Sequence, residues 1–200
     1  MKKLFIFDGD GVLLNLWGAL KQVYEEYTQK QLTAKEWDDV IIDFLRNPYP
    51  YAEFGRFFDS STTFGNLPPV KGMPELVNFA ESRGYDLAVI TSVGNTPELI
   101  SRRSENIWRY YGNRLSKVIC IGRFGSKEKA LQDTAKGYDK VLFCDDHPKN
   151  LIISRGIVTM PIWFKNPHHQ FIWNDLNGEG IEIAESVYDL QRLILEETSE

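Results

Sequence analysis

Residues 4–14 read "LFIFDGDGVLL". An apolar run of aromatic and β-branched residues ends on two carboxylates, Asp8 and Asp10, set one residue apart. Carboxylates resist burial and repel one another. Two of them at the end of a buried strand therefore require a compensating partner elsewhere in the chain.

Four further runs share the length and apolar character of a strand covered on both faces: "DLAVIT" (86–91), "KVICI" (117–121), "KVLFC" (140–144) and "IVTMPIW" (157–163). Helical patterns lie between them. "MPELVNFAESRG" (73–84) and "TPELISRRSENIWRYYG" (96–112) each carry Pro in the first turn and Gly at the stop, and "SKEKALQDTAKG" (126–137) also ends on Gly. "SVYDLQRLILEE" (186–197) reads as a closing amphipathic helix. Alternating strands and helices predict an α/β fold, doubly wound (Rossmann-like) around a five-stranded parallel sheet. Ligands of such sheets bind beyond the carboxyl ends of the strands.

The stretch between the first and second strands is far longer than a crossover helix needs. Residues 16–66 hold two predicted helices, about 16–30 and 34–46, and then the aromatic, Pro-rich "NPYPYAEFGRFF". This predicts a small helical cap at 16–66, inserted into a core made of 1–15 and 67–200. Trp17, Tyr24, Tyr27, Trp37, Phe44, Tyr49, Tyr51, Phe54, Phe57, Phe58 and Phe64 are expected mainly to pack that cap, with one or two reaching a pocket.

The 200 residues carry a formal net charge of −5. That charge argues against a nucleic-acid polymer or an anionic membrane surface as partner. No apolar stretch reaches the length of a membrane span, and the start "MKKLFIF" is too short in apolar residues for a signal peptide, so a cytoplasmic protein is expected. Cys120 and Cys144 sit in apolar runs and read as buried thiols, with a disulfide between them left open. His147, His168 and His169 lack metal-ligand spacing and are expected in loops, the last two within the irregular stretch 164–180. Oligomeric state leaves no mark in the sequence.

Each strand ends on chemistry-bearing residues. Asp8 and Asp10 follow the first, Thr91 and Ser92 close the second, Lys127 follows the third at a helix mouth, and Asp145 and Asp146 follow the fourth. On one edge of a sheet, four acids need a cation, and hard carboxylate oxygens suit Mg²⁺. With the ion in place, an Asp can approach a phosphate dianion and accept its phosphoryl group, while hydroxyl and ammonium donors stabilise the transferring oxygens. Lys129 and Arg123 compete with Lys127 for that last role; Lys127 is preferred because it follows Ser126 at the helix start.

"FDGDGVLL", "LAVITSVGN", "GSKEKALQ" and "VLFCDDHPKN" together resemble, in order, the four motifs of the haloacid dehalogenase (HAD) superfamily, over about residues 1–155. The resemblance implies a capped, Mg²⁺-dependent phosphatase. Asp8 would take the phosphoryl group, and Asp10 would protonate the leaving oxygen, then activate water. Thr91, with Ser92, and Lys127 would bind the phosphate, and Asn95 would contact substrate. Asp8, the Asp10 backbone carbonyl, Asp146 and Asp145 would surround the metal. Relatives lacking the second acid tend to be dehalogenases, so Asp10 favours a phosphatase. The acid found in many relatives four residues after the metal-binding Asp is here Asn150. A small phosphorylated metabolite is expected as substrate. The opening "DGVLLNLWGALKQVYEEYTQKQLTAKEW" is similar to cytosolic deoxyribonucleotidases, which makes a nucleoside monophosphate one option beside a sugar phosphate, phosphoglycolate or mutase chemistry. A receiver domain has a different order of acids and Lys, and a non-catalytic phosphate-binding protein would not need every motif residue.

Overall fold

The structure is a computed structural model that describes residues 1–123, 125–165 and 180–198. Among these residues, six parallel strands form one sheet: β1 (Lys3–Phe7), β2 (Tyr85–Val93), β3 (Leu115–Gly122), β4 (Lys140–Asp145), β5 (Met160–Phe164) and β6 (Glu182–Ala184). Their spatial order is β3-β2-β1-β4-β5-β6. The order reverses between β1 and β4, and the loops leaving those two strands part to opposite sides, which opens a crevice at their carboxyl ends. The acid pairs Asp8/Asp10 and Asp145/Asp146 stand at that crevice.

The sheet thus has six strands where five are expected. The sixth is only three residues long and has two exposed positions, so it lacks the continuous apolar run that marks the others. β5 begins at Met160 rather than residue 157, because Ile157 and Val158 are tied by backbone bonds to the end of the preceding helix at Ser154.

Along β1, Phe5 and Phe7 enter the hydrophobic cluster on one face, and Leu4 and Ile6 enter the cluster on the other. This is the period-2 consequence of a strand buried on both sides. The crossover helices α4 (Met73–Ser82), α5 (Pro97–Tyr111), α6 (Glu128–Ala135) and α7 (Pro148–Ser154), and α8 (Val187–Thr198) after β6, lie beside the sheet. The short helix α7 is not legible in the sequence. Pro148 stands in its first turn and the His147 side chain accepts the Lys149 N–H at its start.

Between β1 and β2 stand α1 (Leu16–Thr28), α2 (Ala34–Arg46) and α3 (Ala52–Ser60). Asn15 caps α1, and Thr33 with Glu36 forms a reciprocal capping box on α2. Their aromatics pack on one another: Tyr24 meets Phe54 edge-on at 5.0 Å, and Phe44 meets Tyr51 edge-on at 5.6 Å. Trp37, Phe54, Phe58 and Phe64 are buried, while Tyr49 is exposed.

The two ends of this insert are clamped together. Asn15 N–H donates to the Pro68 carbonyl and Val70 N–H to that of Leu13, and Tyr111 Oη donates to the Leu13 carbonyl at 2.7 Å. On α5, Asn106 bonds both the N–H and the carbonyl of Leu67, at 2.9 and 3.0 Å, within a fully buried setting. Asn106→Ala would strand both backbone groups away from water. We expect it to cost about 2–4 kcal/mol, readable as a lowered urea midpoint; a loss below about 1 kcal/mol would show that the clamp does not depend on Asn106.

Candidate active site

Register sets the first contact of the site. Phe7 pairs with Cys144 across β1 and β4, and the next backbone N–H, that of Asp8, donates to the Cys144 carbonyl at 2.8 Å. Asp8 and Asp145 are thereby neighbours at the strand ends. Among the described residues, Asp8, Asp145 and Asp146 each offer a carboxylate oxygen, and the three oxygens lie within 4.8 Å of one another. All three residues are buried.

Lys127 is the compensating partner. It stands at the mouth of α6, fully buried, with Nζ 2.8 Å from Asp8 Oδ1 and 2.7 Å from Asp145 Oδ2. Burial pulls its pKa down, but Asp145 and Asp8 outweigh burial and the ammonium is held above its ordinary value. Lys129, the competing residue, is exposed and pairs with Asp133 on its own helix. One ammonium leaves the trio with surplus negative charge. Burial raises the Asp8 pKa well above the usual carboxylate range, with Lys127 opposing and Asp145 and Asp146 reinforcing.

The acids are held differently. Asp145 receives Lys127, the His147 backbone N–H at 2.8 Å and Asn150 Nδ2 at 3.1 Å to each oxygen. Asn150 therefore orients an acid instead of adding one. Asp146 accepts the Trp17 indole N–H at 2.8 Å on Oδ2, and its backbone carbonyl accepts the indole of buried Trp163 at 2.9 Å. The carboxylate of Asp10 stands apart from the trio: its Oδ1 is 3.0 Å from Nε of Arg103. Burial raises the Asp10 pKa, against the pull of Arg103, Lys127 and Arg123.

Thr91 is fully buried, and its Oγ1 has no hydrogen-bond partner among the described residues. It lies against Gly9, where an added Cβ would come within 2.7 Å of Oγ1. Gly11 has φ +88°, and a Cβ there would fall 2.2 Å from Asp146 Oδ2. The Asp-Gly-Asp-Gly spacing thus needs its glycines for close approach and for a left-handed turn.

A cleft of about 430 Å³ opens over these groups. Its floor includes Asp8, Asp10, Ser92, Ser126 and Asp146, and its wall includes Leu16, Trp17 and Leu45 from the insert, with Arg123 and Lys149 at its edge. Of the expected site residues, Asp8, Asp10, Ser92, Lys127, Asp145 and Asp146 gather here, with Thr91 behind Gly9. Asn95 does not join them: it is exposed, with Oδ1 packed near Gly122. His147 helps to hold Asp145 through its backbone, while His168 and His169 lie outside the described residues. Cys120 and Cys144 are both free thiols.

Two contributors are not legible beforehand. Trp17 is one of eleven insert aromatics with nothing to distinguish it in the sequence. Arg103 does leave a trace: it interrupts the four-residue spacing Leu99, Ile107, Tyr111 on the inner face of α5.

No model of a known protein family matches the sequence. No curated protein matches it either. Solved structures do. An L-2-haloacid dehalogenase from Xanthobacter autotrophicus, with chloropropionic acid covalently bound, superposes with a TM-score of 0.60 at 12% identity, covering 98% of this chain and 99% of that one. A HAD-superfamily hydrolase from Ehrlichia chaffeensis gives 0.57 at 16% identity over 98% of each chain. A D,D-heptose 1,7-bisphosphate phosphatase from Burkholderia thailandensis gives 0.56 at 11% identity over 100% of each. With its strand order, its insert after β1 and its acids at the strand ends, the chain has the fold of the haloacid dehalogenase-like hydrolases.

Proposed function

We propose that this protein is a Mg²⁺-dependent phosphomonoesterase of small phosphorylated metabolites, working through an aspartyl-phosphate on Asp8. The observation that carries the reading is the pairing of a buried acid trio with a separate, half-buried Asp10 at the floor of one cleft. Three buried carboxylates against one ammonium, all hard oxygens, fit a divalent cation of the magnesium type. Asp8 and Asp146 would hold it, with Asp145 kept in place beside them by Lys127 and Asn150. When bound, the ion would offset the negative charge that otherwise keeps a phosphate dianion away from Asp8.

The chain's own residues supply the rest. A carboxylate oxygen of Asp8 attacks phosphorus as the ester P–O bond breaks, and Asp10 gives its proton to the departing alkoxide oxygen. Lys127 and the Thr91 hydroxyl would donate to the phosphoryl oxygens. Asp10, now a carboxylate, takes a proton from water as that water attacks phosphorus and frees Asp8. Residues 16–66 act as a cap: Leu16, Trp17 and Leu45 roof the cleft and limit the leaving group to a small one. A cleft of about 430 Å³ lined by Trp17 suits a nucleoside monophosphate or a sugar phosphate. Phosphoglycolate hydrolysis uses the same steps, and mutase chemistry shares the aspartyl-phosphate but passes its phosphoryl group to a substrate hydroxyl instead of to water.

The dehalogenases among the structural neighbours make dehalogenation the second reading. A halide leaves as a stable anion and needs no proton, which would give Asp10 no task. The discriminating experiment measures phosphate release from p-nitrophenyl phosphate, deoxynucleoside 5′-monophosphates and sugar phosphates, and chloride release from 2-chloropropionate. Phosphate release that EDTA abolishes and Mg²⁺ restores is expected, with no chloride release. Full activity in chelator would remove the metal, and chloride release alone would replace the reading.

A further inference from the structure

Arg103 is a fully buried cation that belongs neither to the acid trio nor to the cleft lining. It sits on α5 behind Asp10, with Nε 3.0 Å from Asp10 Oδ1. The N–H is not aimed along that line, so the contact is a close ion pair rather than a directed hydrogen bond. Three further contacts fix the guanidinium. Nη1 donates to the Phe64 carbonyl at 2.6 Å and to Asn106 Oδ1 at 3.1 Å, and the group lies over the Phe64 ring at 4.3 Å. Burying an arginine is costly unless it is paired, and the acid facing Nε is Asp10.

The geometry points to Arg103 as the positioning residue for proton transfer by Asp10. It engages Oδ1, which is sealed from solvent, and leaves Oδ2 as the oxygen that carries the proton into the cleft. Because Arg103 also grips the Phe64 carbonyl and ring, the acid is tied to the segment that returns from the insert. Arg103 itself is 0% exposed and does not touch the substrate. This inference rests on the phosphomonoesterase reading. In the transfer, Asp10 Oδ2–H breaks and a new O–H forms on the ester oxygen as the P–O bond breaks, while Asp8 gains the phosphoryl group; Arg103 keeps its protons throughout.

The test exploits leaving groups. p-Nitrophenolate departs without a proton, whereas an alkoxide cannot. kcat/KM reports the steps through phosphoryl transfer to Asp8, so it isolates the acid role of Asp10. Wild type, Arg103→Met, Arg103→Lys, Asp10→Asn and Asp10→Asn/Arg103→Met are compared on p-nitrophenyl phosphate and on simple alkyl phosphates. Arg103→Met is expected to lose at least about tenfold more on the alkyl esters than on the aryl ester, within the roughly 10²–10⁴-fold that a positioned acid supplies. Arg103→Lys should lose less, with the same selectivity. In the Asp10→Asn background, Arg103→Met should add little to the alkyl-ester loss, because its route is already removed. Equal losses on both ester types, or additive losses in the double variant, would overturn the inference and leave the phosphatase reading standing. Failure of both Arg103 variants to fold, with Asp10→Asn folded, would also overturn it by assigning the residue to the clamp. A wild type inactive on every ester would instead remove the phosphatase reading itself.

Discussion

Asp8→Asn is expected to lower kcat/KM for p-nitrophenyl phosphate by at least about 10⁴-fold, as loss of a covalent nucleophile does elsewhere. An amide oxygen does not form the acyl-phosphate bond, and no other acid in the trio stands ready to replace it. Asp145 is engaged by Lys127, the His147 N–H and Asn150, and Asp146 by the Trp17 indole. The same change should not destabilise the metal-free protein. Burial raises the folded-state pKa of Asp8, so its ionised form works against folding at neutral pH. A raised folded pKa means that the favourable contribution is present below the unfolded value and lost as pH rises through the folded value. Asn removes that ionisation, and Lys127 keeps Asp145 as partner. Loss of activity with an unchanged or higher Tm in metal-free buffer is therefore the signature. Turnover within tenfold of wild type would dismiss Asp8 as nucleophile, and a sharp drop in Tm would show that Asp8 serves the fold.

Lys127→Ala should behave in the opposite way. It takes away the ammonium that stands within 3 Å of both Asp8 and Asp145. Breaking a buried pair from one side costs about 3–5 kcal/mol, because the remaining charge is stranded; here two carboxylates are stranded, which places the expectation at the upper end. Set against a typical total stability of about 5–15 kcal/mol, that is a large fraction. The variant should unfold at a much lower urea concentration, and Mg²⁺ should recover part of the loss by supplying positive charge to the same oxygens. A cost below about 1 kcal/mol would mean that the acids do not depend on Lys127. Activity should vanish with the fold intact at low urea, since in the proposed mechanism Lys127 also donates to the phosphoryl group.

The strand ends were legible because they rest on local rules. A continuous apolar run followed by a polar residue reads as a buried strand opening on a crevice, and β1, β2 and β4 each follow that pattern through Asp8, Thr91 and Asp145. Lys127 could be preferred over Lys129 from its place at the helix mouth, and their burial and exposure agree with that preference. The less legible parts are those fixed only by tertiary packing. β6 is short and partly exposed, α7 is seven residues long, and α3 lies in a Pro-rich stretch whose aromatics obscure its period. The place of Asn95 depends on which way its loop turns, which its motif position does not encode; the loop sets it near Gly122. Arg103 and Trp17 act on Asp10 and Asp146 across long stretches of chain, and local sequence does not encode such contacts.

The central strand also sets a constraint on how the protein is made. β1 leaves the ribosome before both strands that flank it, since Val89 and Cys144 pair with the same Phe7. During synthesis, "LFIF" must wait for most of the chain with both apolar faces and both hydrogen-bonding edges uncovered, while the helices of the insert can already form from nearby contacts. A chain stopped before β4 would therefore yield a sticky intermediate rather than a smaller working protein, and successful production depends on keeping that waiting strand from finding another copy of itself.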